Sequence, residues 1–296
     1  MHPMPQANTM NLKHLKSVLL GTSALVCLAL AAPVMADDFV ITSSDGSTNG
    51  VGTTNGATAA AIADNDINGS HTVSLGIALT TTAANEGIET TGGTNKVTVS
   101  EAGSITTGTG NNAYGIFNDG AYNTTTVSGS IKTAGSSARG IYNFGAFNTT
   151  TVSGSITTTG STASGIRNLG SNNTTTVSGS ITAKGYMARG IYNSGSTNTT
   201  TVSGSITTKG DNAYGIYIYG DDNVTTVSGS IKTEGVSSTG IRNYGDDNVT
   251  TVSGSIKTEG NNSHGIRNRG DDNVTTISGT VKATGASSAA LYNRRG

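Results

Sequence analysis

Seven glycines, Gly115, Gly140, Gly165, Gly190, Gly215, Gly240 and Gly265, follow one another at intervals of 25 residues. Val127, Val152, Val177, Val202, Val227, Val252 and Ile277 keep the same interval. The unit reads G-I-x-N-x-G-x-x-N-T-T-T-V-S-G-S-I-x-T-x-G-x-x-A-x. A constant period of about 20–50 residues means stacked supersecondary units, each too small to close its own core. Earlier copies differ in length. Gly87-Ile88 through Val99 aligns with Gly115-Ile116 through Val127 at an offset of 28, and Val73-Ser74-Leu75-Gly76-Ile77 echoes Val127-Ser128-Gly129-Ser130-Ile131. A last partial copy is Ala290-Leu291-Tyr292-Asn293.

The unit is written in strand chemistry. Residues 37–296 hold 16 Val and 21 Ile, which is 37 β-branched aliphatics against 4 Leu, the bias of a pleated surface. In N-T-T-T-V-S-G-S-I the apolar spacing is two, so Thr150, Val152, Gly154 and Ile156 share one face. Thr149, Thr151, Ser153 and Ser155 take the other. A second short strand, G-I-Y-N, turns Ile141 and Asn143 inward and Tyr142 outward. Gly135 and Gly145 mark corners where positive φ is expected. The pattern predicts an all-β fold, a right-handed parallel β-helix (β-solenoid) with 25-residue coils. Counterparts in successive coils then stack about 4.8 Å apart. The column Asn118, Asn143, Asn168, Asn193, Asn243, Asn268 and Asn293 reads either as an internal amide ladder or as Asn held at a corner. Ile218 interrupts it.

Composition agrees with a thin core. Adding 4 Leu and 4 Phe to the 37 Val and Ile gives 45 large apolar residues in 260, about 17%, a level that suggests disorder only when net charge is high. The full-chain net charge is −1. All three Pro, the one Cys and four of five Met precede Asp37. These counts exclude a disulfide scaffold, a Cys-based zinc site and a strongly basic nucleic-acid binder, and no cofactor or metal is implied.

The first 36 residues read as an export signal. Lys13, His14 and Lys16 precede an apolar run from Val18 to Ala32, then Val34-Met35-Ala36. A basic segment, an apolar stretch of about 15 residues and a small residue at the cleavage site describe a secretory signal peptide. Cleavage is expected after Ala36; Ala24-Leu25-Val26 before Cys27 lacks the small residue a lipoprotein cysteine needs. Residues 37–70 are expected to form an N-terminal cap or irregular coil and 71–296 the repeats. No integral membrane segment is expected in the mature chain.

The run V-S-G-S-I-x-T-x-G-x-x-A-x-G-I behind a signal resembles the repeats of bacterial autotransporter passenger domains, the adhesin-type parallel β-helices, over about residues 70–296. The resemblance implies a rod displayed on the bacterial cell surface, at the outer membrane, or secreted. It also implies adhesion to host or neighbouring cells, with glycans as a ligand class. Such proteins carry a C-terminal translocator barrel; this sequence stops at Arg294-Arg295-Gly296, inside a repeat, and an open sheet edge there invites end-to-end association.

Outward columns supply the candidate binding face. One is Phe117, Tyr142, Arg167, Tyr192, Tyr217, Arg242, Arg267 and Tyr292. Its neighbour is Asp119, Phe144, Leu169, Ser194, Tyr219, Tyr244, Arg269 and Arg294. Aromatic residues and Arg are the side chains enriched in binding hot spots; the plainer reading is a ladder that stabilises the solenoid. Three other readings are open. Thr149-x-Thr151 and its copies form a flat outward Thr array suited to ice. The pairs Asp221-Asp222, Asp246-Asp247 and Asp271-Asp272 could offer oxygen ligands to Ca²⁺ or form a solvated corner. A polysaccharide-acting enzyme on this scaffold would need a local break in symmetry, and the near-interchangeable coils show none. The Asn-x-Thr sequons, Asn123 and its copies, read as turns more than as glycosylation acceptors.

Overall fold

The computed structural model describes residues 38–41, 72–81 and 86–294. The signal segment 1–36, and 37–70 apart from 38–41, lie outside the described residues. The rest is all-β. Each coil gives one strand to each of three parallel sheets, and the strands stack into a β-solenoid of about nine coils. One coil runs Arg139–Phe144, Thr149–Val152, Ser155–Thr158. The first of these strands belongs to a nine-stranded sheet from Ile88–Thr91 to Leu291–Arg294, called here the Arg–Tyr sheet. The second belongs to a ten-stranded Thr sheet ending at Val274–Ile277, the third to a nine-stranded Lys–Glu sheet from Ala78–Thr80 to Thr280–Ala283.

The 25-residue period is the register. Ile141 pairs with Ile116 and Ile166, Val152 with Val127 and Val177, and Ile156 with Ile131 and Ile181. These columns are 0–1% exposed throughout the interior coils. Each coil thus buries two Ile and one Val, worth about 1.5–3 kcal/mol apiece, and the main-chain ladder to the next coil supplies the rest.

Three expectations need correction. The run N-T-T-T-V-S-G-S-I is not one strand: it bends at Ser153-Gly154, whose two N–H groups both donate to the Val127 carbonyl at 2.9 and 3.0 Å. The alternation survives the corner, since Thr150, Val152 and Ile156 all point inward. Second, Leu75, not Val73, stands in the Val127 column, through Val99. A slip of two residues leaves every side chain on its original face, so periodicity alone cannot choose between the registers. Third, Gly145 does have positive φ (158°), but Gly135 does not. At Gly135 the requirement is close approach: a Cβ there would collide with the Gly110 carbonyl oxygen. The left-handed positions are instead Ser137 and Phe147 and their copies, including Met187 and Asp222.

Two Asn ladders run through the interior. Asn143 Nδ2 donates to Asn168 Oδ1 at 2.7 Å and to Thr150 Oγ1 at 2.9 Å, and the pattern repeats from Asn118 to Asn193 and from Asn243 to Asn293. The first Asn column is therefore the amide ladder. Where Ile218 interrupts it, Asn243 Oδ1 and Thr225 Oγ1 are buried with no hydrogen-bond partner. The sequon Asn column forms the second ladder. Asn148 Oδ1 accepts the Asn123 N–H at 2.8 Å, and Asn148 Nδ2 donates to the Gly145 carbonyl at 3.0 Å. From Asn123 to Asn248 these Asn are buried at a corner, which fits turns; their amide nitrogens are engaged except at Asn248, whose Nδ2 is buried without a partner. Among the described residues no helix is long and apolar enough to cross a membrane; this says nothing of β-barrels.

Candidate functional site

The candidate residues of the first column, Phe117, Tyr142, Arg167, Tyr192, Tyr217, Arg242 and Arg267, lie on one line across the outer face of the Arg–Tyr sheet. Phe144, Tyr219 and Tyr244 stand in the neighbouring column two residues on. The structure brings both columns together, with Tyr142 against Phe144 (centroids 6.0 Å) and Tyr217 against Tyr219 (6.5 Å).

A third column escaped the alternation rule. Tyr114, Arg139, Arg189, Tyr214 and His264 also face outward, three residues before the first column. The strand Arg139–Phe144 buries Gly140 and Ile141 in succession, which breaks strict alternation and returns residue 139 to the outer face. The Gly-Ile pair that recurs from Gly87-Ile88 to Gly265-Ile266 is the signal that could have found it. A Cβ at Gly140 would collide with the Ile156 side chain, so only Gly lets the strand sink against the core here.

Guanidinium groups and rings interleave along the sheet. Arg139 lies over Tyr114 (5.0 Å) and Tyr142 (4.6 Å), Arg167 over Tyr142 (5.3 Å) and Tyr192 (5.1 Å), and Arg189 over Tyr192 (4.7 Å) and Tyr217 (5.2 Å). Further along, Arg242 lies over Tyr214 and Tyr217, Arg267 over Tyr292 and Arg269 over Tyr244. Each contact of this kind is worth about 0.5–1 kcal/mol, more where water is excluded. The rings also stack on each other: Phe117 on Tyr142 at 5.2 Å and 16°, Tyr192 on Tyr217 at 5.1 Å and 15°. Their faces are therefore taken by neighbouring coils, and their edges point outward. Sugar stacking on open ring faces does not fit this centre. Exposed rings lie at the margin instead, with Phe144 and Phe147 each 47% and Tyr122 59% exposed, and Tyr122 stacks on Phe147 at 4.9 Å.

Electrostatically the face is cationic and unpaired. Burial lowers the proton affinity of Arg139 and Arg189, and burial raises the phenols of Tyr142 and Tyr217 against the pull of the nearby Arg charges. The Nε atoms of Arg139, Arg167, Arg189, Arg242 and Arg267 are buried without a hydrogen-bond partner. No Arg from 139 to 269 has a carboxylate within ion-pair distance among the described residues; the ion pairs found join Lys209, Lys232 and Lys257 to Glu234 and Glu259.

The remaining candidates are placed as follows. Thr149 is exposed and Thr151 half-buried on the Thr sheet, stacked in register with Thr124/Thr126, Thr174/Thr176 and Thr199/Thr201. The Asp pairs sit at the corner after the Arg–Tyr strand. There Asp221 Oδ1 accepts the Asp246 N–H at 2.8 Å and Asp246 Oδ1 the Asp271 N–H at 2.7 Å. These carboxylates thus cap the main chain of the next coil. Among the described residues no three His, Cys, Asp or Glu side chains come together to hold a metal ion. A shallow open groove of about 780 Å³ follows the Ser153-Gly154 corner along the rod. Comparison with known protein families, curated proteins and solved structures finds no match to this chain.

Proposed function

We propose that this chain is the exported rod of a surface adhesin, autotransporter-passenger-like, non-catalytic, which touches host or neighbouring cells through the outer face of the Arg–Tyr sheet. One observation carries the reading. The inward columns hold nearly the same residues coil after coil, whereas the outward columns of this sheet change several times along the rod and concentrate Arg and aromatic side chains. The signal segment and the repeat resemblance support surface display. The test is to coat beads with the secreted chain and count bacterial and epithelial cells retained, against a variant carrying Phe144→Ser, Tyr219→Ser and Tyr244→Ser. Retention that falls to the level of bare beads supports the reading; unchanged retention sinks it.

The in-register Thr array favours ice as a second reading. Its two outward columns stand about 6.7 Å apart along the strand and about 4.8 Å apart between coils. Val224, Val249 and Val274 replace the first Thr in the last three coils. A thermal-hysteresis measurement at high protein concentration decides it, and a flat result removes it.

A further inference from the structure

The Arg–Tyr face is not uniform along the rod. In its later coils Arg242, Arg267 and Arg269 run beside the corners Asp221-Asp222, Asp246-Asp247 and Asp271-Asp272. In its earlier coils the same corner is uncharged: Ala146-Phe147, Ser171-Asn172, Ser196-Thr197. Arg139, Arg167 and Arg189 therefore form a staggered row of cations, one per coil with coils about 4.8 Å apart: Arg139 and Arg189 share one column two coils apart, and Arg167 stands between them in the column three residues on, on a chain whose net charge is only −1. Each is partly desolvated, each lies over tyrosine rings, and each has a buried Nε without an acceptor. Half-buried guanidinium groups without a counter-anion are unsatisfied electrostatically, and a planar carboxylate is the partner that matches their fork.

From this geometry we infer that Arg139, Arg167 and Arg189 form a docking line for an acidic polysaccharide, a linear chain of uronate sugars lying along the solenoid axis. Three observations select that class. The cations recur once per coil, so the ligand must repeat its anionic group at short regular intervals. The ring faces are occupied by Arg and by one another, so bases of a single-stranded nucleic acid have no stacking platform. The outward donors are guanidinium N–H and the edges of phenols, which suit carboxylates and sugar hydroxyls. This deepens the adhesive reading and rests on the same face.

The experiment is binding of sodium polygalacturonate to the secreted full-length chain by calorimetry, with fully methyl-esterified polygalacturonate and polydeoxythymidylate as comparison probes. The acid form is expected to bind and the ester, which keeps the backbone but not the charge, to fail. Binding is expected to weaken steeply with added salt, as displaced counterions require. Arg167→Gln with Arg189→Gln is expected to weaken binding roughly tenfold or more, the loss of two charge-assisted contacts. Arg242→Gln with Arg267→Gln removes equivalent ring contacts beside acidic corners and is expected to change it less than about threefold. Circular dichroism of both pairs checks that the solenoid persists; should the first pair unfold, Arg167→Lys with Arg189→Lys keeps charge without the fork and is expected to bind less tightly than the parent.

Equal binding of acid and ester, equal loss in the two Arg pairs, undiminished binding by the Lys pair when the Gln pair is unfolded, or tighter binding of polydeoxythymidylate would each overturn the inference. Cell retention without polygalacturonate binding removes this ligand and leaves the adhesive reading. Polygalacturonate binding without cell retention does the reverse.

Discussion

Two faces of the same solenoid carry a cation in most coils, and they treat it differently. On the Lys–Glu sheet, Lys232 Nζ lies 2.9 Å from Glu234 and 3.3 Å from Glu259, and Lys257 lies 2.6 Å from Glu259. The lysines are 41–52% exposed and their partners about a third, so the charge is cancelled in water and the pairs contribute little, about 0–1 kcal/mol each. On the Arg–Tyr sheet the cations are half-buried, rest on rings and have no anion. The difference teaches where to look for a partner. A face that satisfies itself is scaffold; a face that keeps desolvated charge open is suited to receive something.

The largest effect that separates the faces is on stability. Tyr217 touches Tyr192, Tyr214, Arg189 and Arg242, so Tyr217→Ala is expected to cost about 2–4 kcal/mol. Lys232→Ala is expected to cost no more than about 1 kcal/mol. Denaturant unfolding measures both, and equal costs would break the comparison. Next, Leu169→Glu places a carboxylate two residues from Arg167 on the same outer face and makes the Arg–Tyr sheet resemble its neighbour. Polygalacturonate affinity should drop about tenfold, with the unfolding midpoint nearly unmoved. Smaller again is Ile218→Asn, beneath the same sheet. It gives Asn243 Oδ1 and Thr225 Oγ1 partners but removes a buried aliphatic, for a net gain of about 1 kcal/mol; a loss would mean that the buried aliphatic outweighs the restored hydrogen bonds.

The smallest effects are in pH. The Lys257 hydrogen bond holds the Glu259 carboxyl below its usual value. Its contribution is therefore present above about pH 4.5 and lost as pH falls through the lowered folded value. On the other face the raised phenols of Tyr142 and Tyr217 contribute stability that is complete below about pH 10 and lost as pH rises through their folded values. The Glu234 hydrogen bond raises Lys232 as well, so it shares this alkaline limb. Stability followed against pH should show Glu259→Gln flattening the acid limb and Tyr217→Phe the alkaline one. Any crossing of those assignments would blur the distinction between the faces.

Much of this was legible in the chain. The Ile141, Val152 and Ile156 columns, the inward Asn column with its break at Ile218, and the outward Tyr142 and Arg167 columns all follow from period and alternation; that the Asn column is an amide ladder and not a set of corner residues is decided by the Asn143–Asn168 distance. Two of the three cations in the row were not legible. Arg139 and Arg189 stand an odd number of residues from Tyr142 and Tyr192, so alternation assigns them inward; only the sunken Gly140-Ile141 and Gly190-Ile191 steps turn them out. The second Asn ladder was hidden for a related reason, because an Asn before a Thr run reads as a turn until its amide is seen to reach the next coil.

By itself the sequence determined that identical residues would lie on top of one another, because a fixed 25-residue period in strand chemistry admits only stacked coils. Hence it determined the thin Ile and Val core and the Thr array. Tertiary structure alone decided which of the inward-compatible registers the early coils take, since a slip of two residues preserves every face. It also decided which charges meet. Lys232 reaches Glu234 and Glu259 while Arg189 reaches only rings, and that choice depends on distances across coils and corners that no one-dimensional spacing encodes.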